Sequence, residues 1–334
     1  LSRWASTLPG LKALAIAGAM VAAPPALAQA SSRAAATCDR DCLIRMADTY
    51  VAALVAHDPK KAPLAPDLVT VENLKRIRPG EGMWASITSG PNDFVIRVPD
   101  PTSQQVGTMV VLKGAGGAPF LVGIRLKLAG GKIVEAEHLI GNPLGEAQIA
   151  NLQRPRAPLL AKVTEEYADS RGRLIAIGKS YYDSIDNNNG ALAPYADDCV
   201  RIENGIQTAR TNPGQAVVTP NRDESFAKLA ALGCRAQMDT GMWAYIDTID
   251  NRRVDIADVE TGLVWGMSQF HHDMKEKALP IYGVQGVPVR DMSRFTRPID
   301  VPAMHIYKIW GGQIHEIEAI GLTVNYQSAT GWEQ

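Results

Sequence analysis

What this chain of 334 residues has little of already closes off several kinds of function. Lys and Arg number 34 against 35 Asp and Glu, a formal net charge of −1, and no basic run or basic-aromatic interleaving is present. The electrostatic footprint that a nucleic-acid partner demands is therefore missing. Long apolar runs are also missing: Ala13–Ala23 is 11 residues, too short to span a bilayer, and no other segment reads as transmembrane. Cysteines number four. Cys38 and Cys42 are separated by three residues with no matched histidine cluster, which is not the ligand set of a zinc site. No metal and no cofactor is expected.

What is present begins with an export pattern. Arg3 and Lys12 form a basic start, the apolar run follows, and Ala28-Gln29-Ala30 is a small-x-small cleavage site before Ser31. Residues 1–30 are thus expected to be a signal peptide, and the mature protein periplasmic or secreted. In that compartment four cysteines favour disulfides. Three pairings are possible; spacing favours Cys199 with Cys234, leaving Cys38 with Cys42 across a short loop.

The mature chain says the same thing twice. Tyr50, Glu72-Asn73, Gly82-Met83-Trp84-Ala85 and Gly130-Gly131-Lys132-Ile133 recur in order as Tyr181, Glu203-Asn204, Gly241-Met242-Trp243-Ala244 and Gly311-Gly312-Gln313-Ile314. Two domains follow, at 31–145 and 161–334. Asn142–Pro158, rich in Pro, Gln and Arg, holds the linker, placed at 146–160. The copies are unequal. From the Glu-Asn pair to Gly-Met-Trp-Ala the first spends 10 positions (72 to 82) and the second 38 (203 to 241), an insertion of 28. From the Trp to the Gly-Gly turn the spacings are 46 (84 to 130) and 68 (243 to 311), a second insertion of 22. Long insertions in compact domains tend to be functional loops, so chemistry is expected in the second copy.

Leu43, Ala47, Tyr50, Val51, Leu54 and Val55 follow helical spacing, and Leu174, Ile177, Tyr181 and Ile185 repeat it more loosely. Phe120–Leu128 with Ile133–Ile140, and Ala303–Trp310 with Ile314–Ile320, read as hairpins closed by Gly-Gly turns. Val254–Val259 and Leu263–Phe270 make a third. Helices before antiparallel strands is an α+β pattern, a curved antiparallel sheet wrapped on N-terminal helices in each of two tandem cones.

The Tyr-bearing helix, the Glu-Asn after it and the closing Gly-Gly-(Lys/Gln)-Ile hairpin with its acidic strand resemble the nuclear transport factor 2-like superfamily. That superfamily includes SnoaL-type polyketide cyclases, ketosteroid isomerases, scytalone dehydratase and limonene epoxide hydrolase. More narrowly, Asn251-Arg252-Arg253, Asp258–Val264, Phe270-His271-His272-Asp273 and the tail from Asn325-Tyr326 to Gly331-Trp332 resemble uncharacterised SnoaL-like proteins. Cys199–Gly205 with Cys234 is similar to tandem-domain proteins of unknown function common in fungi. The resemblance implies an apolar pocket between helix and sheet with a few polar groups inside. It does not carry a reaction type.

Candidate catalytic residues are His271, His272, Glu318 and Tyr181. Adjacent strand residues face opposite ways, so only one of His271 and His272 is expected in the pocket; the pair can equally be a solvated loop beside Asp273. Strict alternation from Ile314 puts Glu316 and Glu318 on its face, as a solvated edge or a pocket carboxylate. Tyr181 is core with its hydroxyl reaching the cavity, and Tyr182 points elsewhere. Candidate substrate-binding residues are Arg201 and Glu203, which can instead pair with each other; Trp243 and Trp265, either packing or aromatic walls; and His305 and Tyr307, which share a strand face or cap the sheet edge. The expected function is a cofactor-independent lyase, dehydratase or isomerase acting on a hydrophobic, aromatic or polycyclic small molecule. Water activated by Glu318 or His272, in a hydrolase, is a weaker option. The alternative is a non-catalytic binding or scaffold protein, and a homodimer is open.

Overall fold

In the computed structural model the described residues are 37–212 and 224–333; the expected signal peptide at 1–30 lies outside them. The first half begins with helix α1 (Arg40–Val55), capped by Asp39, whose carboxylate accepts from Cys42 N. Strands β1 (Leu64–Glu72) and β2 (Lys75–Ile77), a short α2 (Met83–Ser86), and strands β3 (Val95–Asp100), β4 (Gln105–Lys113), β5 (Pro119–Ala129) and β6 (Lys132–Pro143) follow. They form a six-stranded sheet in the order β2-β1-β6-β5-β4-β3, in which β1 runs parallel to β6 and the other neighbours are antiparallel.

The expected linker contains α3 (Glu146–Asn151) and α4 (Ala157–Leu160). Leu152 and Leu159 from it are buried. In the second half α5 (Arg171–Asp186), capped by Ser170, precedes β7 (Tyr195–Glu203), β8 (Ile206–Ala209), α6 (Glu224–Ala230) and α7 (Cys234–Met238). Strands β9 (Thr248–Asp258), β10 (Leu263–His272), β11 (Ala278–Pro280), β12 (Val289–Asp291), β13 (Ile299–Trp310), β14 (Gln313–Gly321) and β15 (Val324–Asn325) complete the chain. The large sheet runs β8-β7-β14-β13-β10-β9, with β15 on β13 and with β7 parallel to β14. Strand for strand this is the order of the first sheet. The second insertion supplies β11 and β12, a separate hairpin.

The closing turns are alike in detail. Gly130-Gly131 and Gly311-Gly312 both have φ of 57° and 76°, the left-handed pair that a two-residue hairpin turn requires and that glycine adopts without strain. The Glu-Asn repeat is a second shared device. Asn73 and Asn204 have φ of 44° and 49°; their side-chain oxygens accept from Ile140 N (2.8 Å) and Gly321 N (3.0 Å), tying each first strand to its closing strand.

Each sheet is buried on both faces. One face packs under its own helix: Leu43, Tyr50 and Leu54 meet Val110, Val122 and Ile124 in the first half, and Leu174, Tyr181 and Ile185 meet Val264, Tyr307 and Ile317 in the second. The other faces pack on each other through Phe94, Ile96, Met109, Leu121, Ile256, Trp265, Met304 and Ile306. This explains why β10 is buried at every position. It also corrects the expectation for Trp265, which is part of this seam. A Cβ at Gly107 would lie 2.3 Å from the Trp265 ring, and one at Gly123 2.4 Å from Met304 Sδ, so the seam closes over two bare stretches of backbone.

The seam is reciprocal. Arg40, the first residue of α1, forms two bonds to Asp258, the last of β9 (3.0 and 2.8 Å). Arg171, the first residue of α5, does the same to Asp100, the last of β3 (3.1 and 2.8 Å). Arg253 grips Glu137 with two bonds of 2.7 Å. Both expected disulfides are formed, Cys38–Cys42 and Cys199–Cys234. Among the described residues no helix is long and apolar enough to cross a membrane.

Gly107→Val is expected to cost about 1–3 kcal/mol, the usual penalty for overfilling a packed interior. Gly172→Ala, on α5 with nothing within 4 Å of the added carbon, should be neutral or slightly stabilising. Thermal midpoints of the two variants check this, and equal midpoints would mean that the seam is loosely packed.

Candidate functional site

The second half holds a cavity of about 240 Å3 between α5, the helix-side face of its sheet and the segment after α7. Tyr181, Trp243, Tyr245, Phe270, His272 and His305 give it aromatic walls, with Glu203, Asn204 and Ala319 at one side. The sheet's alternation decides who enters. On β10, Phe270 and His272 face the helix side, and Gln269 and His271 face the seam, where both bond Asp300. On β13, His305 and Tyr307 face the helix side, with rings parallel within 2°.

His305 is buried, and its Nδ1 lies 3.1 Å from the Tyr182 hydroxyl. Tyr182 was expected to point away, but both adjacent tyrosines pack on the sheet, Tyr181 against His305 and Tyr307 and Tyr182 against Phe270, His305 and Tyr307. Burial, reinforced by the Arg201 charge, pushes His305 down to about 3. Burial likewise lowers His272 to about 4; its ring stacks on Tyr245 at 5.2 Å and its Nδ1 has no partner. Burial raises Tyr181 well above the usual phenol value. The site at neutral pH thus offers neutral imidazoles, which accept, and a phenol, which donates.

Arg201 lies just behind the wall. It is fully buried, its Nε donates to Thr208 Oγ1 (3.1 Å) and forms an ion pair with Glu203 (2.9 Å), and its Nη2 donates to Gln237 Oε1 (2.7 Å). Its guanidinium stands 4.6 Å from the Trp243 ring centre. Gln237 is on α7, which the Cys199–Cys234 bond ties to β7. The first insertion therefore fixes the back wall, and the second reinforces the front: Arg290 of β12 donates to Met242 O (2.7 Å) and covers the Tyr245 ring.

Besides Trp265 in the seam and Arg201 behind the wall, three sequence candidates do not reach the cavity. His271 is held on the seam side between Asp300 (2.7 Å) and Asp250 (3.1 Å). Partial burial works against its charge, but these two carboxylates outweigh it and raise its pKa. Glu318 also faces the seam, paired with Arg156, and burial lifts it to about 7. Strict alternation misplaced its neighbour: a register break between Ile314 and Glu316 turns Ile314 toward the helix with Ile317, leaving Glu316 and Glu318 opposite. Tyr307 is packed beneath Tyr181 and Tyr182. Tyr245, Tyr182, Phe270 and Ala319 were missed. Only Tyr245, two residues after Trp243, carried a local signal. Among the described residues no group of three or more His, Cys, Asp or Glu is placed to hold a metal ion.

The corresponding space in the first half is filled by a chain of hydrogen bonds. The Tyr50 hydroxyl meets His138 Nε2 at 2.8 Å, and His138 Nδ1 meets Glu72 at 3.1 Å. Glu72 also accepts from Met83 N, and Trp84 stands edge-on to Tyr50.

For histidines with lowered folded values the unfolded chain binds more protons below 6.5. The stability that His272 and His305 contribute is therefore complete above 6.5 and is lost as pH falls toward about 4 and 3. His271 works oppositely: its contribution is complete below 6.5 and lost as pH rises through its raised folded value. NMR titration should show His271 with a midpoint above 6.5 and no titration of the other two rings down to about pH 5. A midpoint near 6.5 for His305 would mean a wet, open cavity.

Residues 167–321 match a family described as a domain of unknown function, DUF8021, a span that contains α5 to β14 and all of the cavity lining except Asn142 and Thr323. Among curated proteins none matches. Among solved structures the chain is similar to a protein of unknown function with cystatin-like fold from Methylobium petroleophilum PM1, at 14% identity and a TM-score of 0.26, covering 33% of this chain and 83% of that one. It is also similar to AclR, a proposed hydroxylase from Streptomyces galilaeus, at 17% identity and a TM-score of 0.25, covering 35% of this chain and 89% of that one.

Proposed function

We propose that the protein is an exported, unequal duplication of one nuclear transport factor 2-like cone. In this reading the second copy binds a small hydrophobic ring compound and performs cofactor-independent proton transfer on it, as a lyase, dehydratase or isomerase does. The observation that carries it is the convergence of His272, His305, Tyr181 and Glu203 on one aromatic-walled cavity. Size narrows the ligand: a cavity of about 150 Å3 already holds benzene, so about 240 Å3 suits one or two fused rings. The first copy serves as the partner that covers the second sheet's outer face, the contact a symmetric dimer would otherwise make.

In such a site His305, with Nδ1 engaged by Tyr182, presents Nε2 as the acceptor of a substrate proton. The Tyr181 hydroxyl donates to the substrate atom on which charge develops, and the buried Arg201 favours that charge from behind Glu203 and Trp243. His272, on the neighbouring strand, is placed to move the second proton. A non-catalytic binding role is the second reading, favoured by the depth to which burial lowers both imidazoles, because such rings are weak bases.

The test is a thermal-shift screen of one- and two-ring phenols, enones and hydroxyketones, with hits followed for turnover. His305→Ala and His272→Ala are expected to lower kcat by about 10²–10⁴ with a smaller change in KM, the range for losing a general acid or base. Tight binding without turnover supports the second reading. Turnover untouched by both substitutions refutes the assignment.

A further inference from the structure

The two halves differ at one position that decides whether a cavity exists. Tyr50 and Tyr181 occupy the same place, ten residues into helices of equal length, 16 residues each. Glu72 and Glu203 both end the first strand of their sheet. In the strand pairing Glu72 lies beside His138, and Glu203 lies beside Ala319. Ala319 thus stands where the first half has His138, and it lines the cavity together with Tyr181 and Glu203.

In the first half the imidazole joins the other two groups. Glu72 as a carboxylate only accepts, so His138 donates from Nδ1, and the neutral ring then offers Nε2 as acceptor to the Tyr50 hydroxyl. In the second half the ring is absent and its partners remain. The Tyr181 hydroxyl makes no hydrogen bond to any described residue, and half-buried Glu203 has one oxygen against Arg201 while no described residue pairs with the other. The Tyr181 hydroxyl opens on the cavity, so its donor is free for whatever occupies that space.

Building on the reading of this cavity as a ligand site, we infer that its ligand is a flat heteroaromatic that replaces the missing imidazole. It carries a ring nitrogen that accepts from Tyr181 and, across the same small ring, an N–H that donates to Glu203. The rest of the ligand, an apolar ring, lies against Trp243 and Phe270. The first half shows the recognition already satisfied from within the chain and accordingly takes no ligand there.

The probes are benzimidazole, which has both groups on a two-ring body, indole, which has only the N–H, and indene, which has neither. By calorimetry the wild-type protein is expected to bind benzimidazole at least about tenfold more tightly than indole or indene, the size of one buried hydrogen bond. Ala319→His should fold, fill the space as His138 does, and bind none of the three. Tyr181→Phe, which changes one atom, should bind benzimidazole no better than indole, and it decides the matter if Ala319→His does not fold. Equal binding of all three probes by the wild-type protein overturns this inference and leaves the apolar cavity reading standing. Binding of none also overturns this inference, and the screen of oxygenated rings then decides the ligand-site reading separately.

Discussion

Everything in this protein depends on two sheets that bury each other. Each has one face under its own helix, and the two outer faces pack on each other, with Leu152 and Leu159 of the connecting segment joining the same cluster. A sheet so placed cannot alternate apolar and polar residues, which is why β4 and β10 are almost uninterrupted in burial. The few polar groups in the seam must then be paired. Arg40 with Asp258, and Arg171 with Asp100, meet this need twice, by the same device seen from opposite sides.

Against that shared frame the halves have diverged in what fills the space under the helix. The first is closed by its own side chains, with Trp84 against Tyr50 and His138 joining Tyr50 to Glu72. The second has alanine at 319 in place of that ring. It has Arg201, on which Trp243 rests, and two longer connections that hold these walls in place. The first half is thus filled from within, and the second keeps an aromatic chamber whose polar groups are neutral imidazole and phenol.

Much of the frame could be read directly. Helical spacing marked α1 and α5, the Gly-Gly pairs marked the closing turns, and cysteine spacing marked the disulfides. Each is a local signal, decided by residues a few positions apart. The site was legible in part. Opposite facing of His271 and His272 follows from strand geometry and holds. Glu318 and Ile314 could not be placed, because one extra residue at a bulge shifts the alternation and leaves no mark in composition. Trp265 was unreadable for another reason: whether an outward aromatic meets ligand or protein depends on what covers the sheet.

The sequence by itself determined the repeat, the elements and their turns, since these rest on periodicity and backbone preference along one stretch of chain. Only the tertiary structure decided that the two sheets pack back to back. Only it showed that Tyr182 holds His305 and that an alanine stands where the first half has a histidine. Those facts join residues more than a hundred positions apart in one copy or in different copies. Burial, hydrogen bonding and the shifted imidazoles exist only once the chain has brought them within a few ångströms of each other.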